Sequence, residues 1–74
     1  MIVDIMDTKE IGRIIRTRRK SLQISQAHLA DLVECSIPSV INAEAGKPTQ
    51  QLDKLLSILD VLGLKLSVSD SKRL

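Results

Sequence analysis

Side chains able to do chemistry are sparse in this 74-residue chain, and none forms a constellation typical of catalysis. The single histidine, His28, and the single cysteine, Cys35, leave no zinc-ligand cluster and no internal disulfide. The segment 46–49 departs from a phosphate-binding loop, because Ile41 stands where the first glycine belongs and Pro48 separates the lysine from the threonine. We therefore expect no enzyme activity, no cofactor and no metal site.

The distribution of charge along the chain favours binding to a polyanion. The formal net charge is only +2, but residues 13–20 contain five cations and no acid, whereas residues 21–45 contain three acids and no lysine or arginine. The distribution of charge matters more to a polyanionic partner than the total. This run favours contact with nucleic acid, although a solvated helix face would have the same composition.

A second set of side chains, in residues 36–42, has the chemistry to read base edges. Ser36 and Ser39 can donate to or accept from any base, and Asn42 can form two hydrogen bonds with adenine. Ile37 and Pro38 can offer only apolar contact, such as with a thymine methyl group. Few base-specific contacts are therefore expected, and specificity should depend also on phosphate register and DNA shape.

The basic run must be carried by a helix. Asp7, followed by Glu10 three residues later, has the layout of a capping box, and the apolar residues beyond it recur at helical spacing. These signals predict a first helix over residues 8–20, in which the cations flank an apolar stripe.

The candidate base readers need a second and a third helix. Ser25 is a good N-cap for a helix over residues 26–33, and Ser36 is a good N-cap for a helix that Gly46 ends. Two short helices joined by a tight turn form a helix-turn-helix unit, whose second helix fits the major groove of DNA. This unit is predicted at about residues 26–44.

Phosphate contacts are expected around this unit. The sequence predicts them from Gln26 at the start of the second helix, from Lys47 after the third, and from Arg16 and Lys20 on the first. An ordinary surface lysine is the alternative interpretation of Lys47.

The last part of the chain predicts a dimer. Thr49 is expected to cap a fourth helix over residues 50–62, which is so apolar that it must be covered on two sides. Residues 64–69 alternate apolar and polar side chains, as a strand does, and this strand must pair with residues 2–5 or with a second molecule. The predicted dimerisation region, about residues 50–69, uses Leu55, Ile58, Leu59, Leu62, Leu64, Leu66 and Val68.

The helix-turn-helix segment resembles a known family. The S-Q-x-x-L-A element that begins at Ser25, with E-x-G-K beginning at Glu44, is similar to the Cro and lambda-repressor (XRE) class over about residues 11–63. That resemblance implies an ion pair between Arg19, near the end of the first helix, and Glu44, near the end of the recognition helix. The chain departs from the class at Glu34, where the turn usually carries glycine.

The flanks, residues 11–19 and 52–66, look like those of HipB-type antitoxins. This resemblance implies a homodimer sealed by pairing of its C-terminal strands, repression of its own operon at a palindromic operator, and neutralisation of a HipA-like serine/threonine kinase toxin. A stand-alone phage or host repressor, and a protein-interaction module that has lost DNA binding, are the alternatives.

Together these features predict one all-α domain over residues 1–74. Its expected architecture is a lambda-repressor-like bundle of four to five short helices, with a C-terminal β-strand that pairs across a dimer. No apolar run approaches the roughly 18 residues required to span a bilayer, and the N-terminus lacks the features of a secretion signal. We expect a cytoplasmic protein without membrane contact.

Overall fold

The structure is a computed structural model that describes residues 7–48 and 51–67. Over these residues the chain forms four α-helices, in the order α1 (Thr8–Ser21), α2 (Gln26–Val33), α3 (Ile37–Ala45) and α4 (Leu52–Val61). The predicted all-α helix-turn-helix class is confirmed. No helix in the described part of the chain combines the length and hydropathy needed to cross a membrane.

Three of the helices begin at a side chain that caps them. Asp7, Ser25 and Ser36 each accept a hydrogen bond from the backbone N–H three residues later, at 2.9, 3.0 and 3.2 Å respectively. These bonds satisfy donors that a helix start otherwise leaves without a partner. Helix α4 differs, because its N-cap is Gln51, without a side-chain capping bond. The prediction of Thr49 as the cap was wrong, and Thr49 lies outside the described residues.

Helices α2 and α3 both end in the left-handed region of backbone space. Gly46 ends α3 with φ 73°, as the sequence predicted. Glu34 ends α2 with φ 61° and ψ 44°, the conformation that glycine usually supplies. The turn of the helix-turn-helix therefore has the tight geometry despite its glutamate, with the Cys35 N–H donating to the Ala30 carbonyl at 2.9 Å.

All four helices contribute to one core. Its largest fully buried side chains come from α1, α2, α3 and α4 and from the residue that follows α4. The core contains no aromatic ring, and it depends on aliphatic side chains and alanines that allow the helices to approach closely. The buried apolar residues are Ile15, Leu29, Ala30, Val40, Ala43, Ile58, Leu59 and Leu62.

This core corrects part of the predicted dimer surface. Ile58 and Leu62 are 0% and 1% exposed, and Leu59 is buried beside them. Their side chains pack inside a single chain, so they are not available to a second copy. Periodicity had marked α4 as apolar around most of its circumference without showing which side faces the core.

The remaining predicted dimer residues are partly accessible. Leu55 and Leu64 are half-buried against the core, and Leu66 is exposed. Residues 64–67 form neither helix nor strand in the single chain, and Val68 lies outside the described residues. The strand that pairs across a dimer therefore stays a prediction. Exposed apolar side chains on α4 are instead Leu52, Leu56 and Val61.

Candidate nucleic-acid interface

The recognition helix α3 is fixed to α1 by a bidentate ion pair. The Arg19 Nε donates to Glu44 Oε2 at 2.5 Å, and Arg19 Nη2 donates to Glu44 Oε1 at 3.1 Å. The two side chains are only 10% and 5% exposed. A planar guanidinium that meets a carboxylate through two parallel bonds fixes orientation as well as distance. The ion pair implied by the family resemblance is present.

Two further hydrogen bonds extend this pair to the start of α2. Arg19 Nη1 donates to the Ile24 carbonyl at 2.9 Å, and the Gln26 amide Nε2 donates to Glu44 Oε1 at 3.2 Å. Gln26 was predicted as a phosphate contact. In the free chain its half-buried side chain instead bonds to Glu44, so its first role is to join α2 to the ion pair.

Close backbone contact between α1 and α3 depends on two glycines. A Cβ at Gly12 would clash with the carbonyl oxygen of Glu44 and lie 2.8 Å from that of Ala43. A Cβ at Gly46 would lie 2.5 Å from the Lys9 Cα. Sequence reasoning predicted the role of Gly46 as a helix end but missed Gly12, because a glycine within a helical pattern does not reveal what lies against it.

The outer face of α3 is apolar and accessible. Ile37 and Ile41 are 45% and 44% exposed, and Pro38 and Ala45 are also exposed. The opposite face, with Val40 and Ala43, is buried in the core. Ile41 lies within the predicted reading segment 36–42 but was not named as a reader, although its position four residues after Ile37 places both on one side of a helix.

The polar readers predicted on α3 are less available than the sequence suggested. The hydroxyl oxygens of Ser36 and Ser39 lie 2.8 Å apart, in a hydrogen bond in which either can donate. The Ser36 oxygen also accepts the Ser39 N–H. Asn42 is half-buried. Both serines stand at the leading end of α3, but each already has a partner in the free chain.

A row of exposed cations runs along α1, which we call the basic row. It has the spacing i, i+4, i+7 and i+11, so its members share one side of the helix. Its members are Lys9, Arg13, Arg16 and Lys20.

Two members of the basic row lie next to the contact between α1 and α3. Lys9 and Arg16 stand three residues before and four residues after Gly12, and residues at these spacings are neighbours on a helix surface. Because Gly12 contacts the carbonyls of α3, the row flanks the contact between the two helices. Lys47 is exposed after Gly46, the C-cap of α3, and its N–H donates to the Asn42 carbonyl at 3.1 Å.

A second arginine of the basic run, besides Arg19, has a structural role. The Arg18 Nε donates to the Leu62 carbonyl at 2.8 Å, which places a cation at the C-terminal end of α4. Such a cation bonds a free terminal carbonyl and complements the helix dipole. Arg18 therefore joins α1 to α4, and this role was missed because the sequence does not show which helix end lies nearby.

The residues considered for other chemistry lie apart from this surface. His28 is exposed, and Cys35 is half-buried as a free thiol packed against the core. Within residues 7–48 and 51–67, no three histidine, cysteine, aspartate or glutamate side chains come together as a metal-binding group.

Comparison with solved structures identifies the fold. A chain of the HipA-HipB-O2-O3 complex superposes with a TM-score of 0.86 at 20% identity, and the match covers 96% of this chain and 100% of that one. A chain of the HipB-O4 20mer complex gives a TM-score of 0.85 at 20% identity, with the same coverage. At these identities the likeness concerns the fold, and it confirms the resemblance to HipB at that level.

The sequence comparison gives a closer relationship. No protein-family model matches the chain. The uncharacterized HTH-type transcriptional regulator y4mF of Sinorhizobium fredii is 34% identical over 59 residues, which cover 80% of this chain and 78% of the relative. With that identity over most of both chains, and with a helix-turn-helix whose recognition helix is exposed, this protein belongs to the family of HTH-type transcriptional regulators.

Proposed function

We propose that the protein is a sequence-specific repressor of its own operon, which binds a palindromic DNA operator as a homodimer and acts in the cytoplasm as the antitoxin of a HipA-like serine/threonine kinase. The observation that carries DNA binding is the exposed outer face of α3, together with exposed cations next to the contact between α1 and α3. An exposed helix can enter the major groove, and cations along its flank can contact the phosphates on either side.

In the proposed interface, one set of residues contacts the bases and another contacts the phosphates. Residues Ile37, Pro38 and Asn42 face the bases, together with Ser36 and Ser39 once DNA competes for their hydroxyls. Lys47 and the basic row contact phosphates, and Gln26 holds the start of α2 against Glu44. A binding role accounts for these groups, and no catalytic step is assigned to them.

Binding to a duplex from the upstream region of the gene tests the first part of the proposal. Fluorescence anisotropy is measured across a salt series for the wild type and for Arg16→Gln, with Lys65→Gln as the control, because Lys65 is an exposed cation beyond α4. Each lost phosphate contact should reduce the slope of log K against log salt by about 0.9. An unchanged slope for Arg16→Gln would remove that residue from the interface. No binding by the wild type at low ionic strength would overturn the proposed function.

The antitoxin role is supported by the HipB fold, since one solved structure with that fold is a HipA-HipB-O2-O3 complex. A kinase-like reading frame next to the gene should arrest growth when expressed alone and should permit growth when expressed with this protein. If growth remains arrested, or if no kinase-like frame is adjacent, the stand-alone repressor is the better interpretation.

A further inference from the structure

We propose that the outer face of α3 recognises thymine methyl groups in the major groove, with Ile41 as a specificity-determining residue beside Ile37. This inference rests on the proposed DNA binding and adds the chemical feature that the surface reads. It assigns a role to Ile41, which local sequence patterns did not single out.

The polar alternatives on α3 are limited. The helix contains no lysine or arginine, the residues that most often read guanine. Its one carboxylate, on Glu44, is bonded to Arg19 and Gln26. The hydroxyls of Ser36 and Ser39 bond to each other. Only Asn42 and the two serines can therefore form hydrogen bonds with base edges along α3. Asn42 is half-buried, and the serines must first break the hydrogen bond between their hydroxyls.

Apolar side chains make up most of the exposed outer face of α3. The side chains of Ile37 and Ile41 lie on one side of the helix and are each nearly half exposed. Both are β-branched, so they have few rotamers and present a stiff surface. Thymine is the base that offers an apolar group in the major groove, its C5-methyl. Contact with that methyl removes apolar surface from water on both molecules.

Charge identifies the occupant of this face as duplex DNA. An apolar face alone would suit a protein partner equally well. Here Lys9 and Arg16 flank the α1–α3 contact, and Lys47 follows Gly46, the C-cap of α3. Cations beside an apolar edge match a major groove, in which methyl groups lie between two lines of phosphate.

The test compares thymine with uracil, which lacks the C5-methyl. A duplex that binds tightly is first selected from a random library, and the protected region is mapped. The same duplex is then made with deoxyuridine in place of thymidine inside that region, and a control duplex carries the replacement only outside it. Affinity should fall about fourfold for each contacted methyl, the ratio expected for about one buried CH₂ group, and should not change for the control duplex.

A variant assigns the effect to Ile41. Ile41→Ala should bind the thymidine duplex more weakly than the wild type does and should distinguish the two duplexes less. Leu22→Ala is the matched control, because Leu22 is a similarly exposed aliphatic residue outside α3. A thermal melt of each variant verifies that the fold is intact.

The outcomes separate this inference from the proposed function. Equal wild-type affinity for the thymidine and deoxyuridine duplexes would overturn methyl recognition and leave DNA binding intact. An equal loss by Ile41→Ala on both duplexes would overturn the role of Ile41. If no duplex is selected and the upstream region is not bound, both proposals fail, and a protein-binding role for the apolar face takes their place.

Discussion

The Glu44 carboxylate has three hydrogen-bond donors within 3.2 Å, two from Arg19 and one from Gln26. It is the point at which α1, α2 and α3 meet. A buried ion pair adds little to stability compared with an apolar substitute, but removal of one partner leaves a buried charge without compensation. The value of Glu44 is therefore in holding the recognition helix at a fixed angle to α1.

Replacement of Glu44 by alanine should be strongly destabilising. The expected loss is about 3–5 kcal/mol, because Arg19 keeps its charge inside the protein without a carboxylate. In a domain of this size each kcal/mol lowers the melting temperature by about 4–8 °C, so circular dichroism should show a fall of more than about 10 °C. Asp31→Ala removes an exposed acid from α2 and should change the melting temperature little. A melt of Glu44→Ala that matches the wild type would contradict a structural role for the pair.

Replacement of Glu34 by glycine should stabilise the protein. Glu34 has φ 61°, and the left-handed conformation costs about 1–2 kcal/mol for a residue with a Cβ. Glycine avoids most of that cost but has more freedom in the unfolded chain, so a net gain of under about 1 kcal/mol is expected. The melting temperature should rise by several degrees. Thr17→Gly, within α1, should lower it. A fall for Glu34→Gly would show that its side chain has a role that the turn geometry does not explain.

At the scale of elements, the contact between α1 and α3 is decided by backbone rather than by side chains. Gly12 lies against the carbonyls of Ala43 and Glu44, and Gly46 lies against Lys9. The Thr8 hydroxyl donates to the Gly46 carbonyl at 2.6 Å. The start of α1 is therefore held at the end of α3, which places Lys9, the first member of the basic row, beside the C-terminal end of the recognition helix.

This contact predicts a reversal of the usual effect of alanine. Within an exposed helix, Gly→Ala stabilises by about 1 kcal/mol. Gly12→Ala should instead destabilise, because its methyl group would overlap backbone atoms of α3 and helices forced apart lose about 1–3 kcal/mol. Thr17→Ala, on the exposed side of α1, serves as the control and should be neutral or stabilising. If urea denaturation gave Gly12→Ala a stability equal to or above that of the wild type, the two backbones could not lie this close.

At the scale of the whole molecule, the exposed apolar side chains on α4 provide a surface for the proposed homodimer. Leu52 is 61% exposed and Leu56 is 43% exposed, on the same helix that also supplies Ile58 to the core. A short domain without aromatic residues buries a limited area by itself. A two-fold dimer would cover this side of α4 and would present two copies of α3, with half-sites about 34 Å apart.

Leu56→Asp should therefore convert a dimer into a monomer, because a charge on an apolar interface must be desolvated for the subunits to associate. Sedimentation equilibrium measures the mass, and operator affinity should fall with dimerisation since each subunit holds one half-site. Leu22→Asp, at an exposed site outside α4, should remain a dimer. A wild-type protein that is monomeric at micromolar concentration, or a Leu56→Asp variant that stays dimeric, would place the contact elsewhere.

Local sequence patterns were sufficient to predict the helices and the caps of α1, α2 and α3, because a cap bond joins residues three apart and a helical stripe repeats within two turns. They were not sufficient for the cap of α4. Asp7, Ser25, Ser36 and Gly46 could be assigned from their neighbours alone. The tertiary structure decided the rest. Only packing shows which side of the largely apolar α4 enters the core, and hence that Ile58 is inside and available to no partner.

Some features of the recognition surface also follow from local sequence, and others depend on tertiary contacts. Its place in the chain follows from local patterns, and so does its mixture of apolar and small polar residues. Its exposed part depends on contacts between residues distant in sequence, since the bond from Arg19 to Glu44 and the approach of Gly12 to α3 orient the helix. These contacts leave Ile41 outside and Val40 inside, a choice between adjacent residues that hydrophobicity alone could not make.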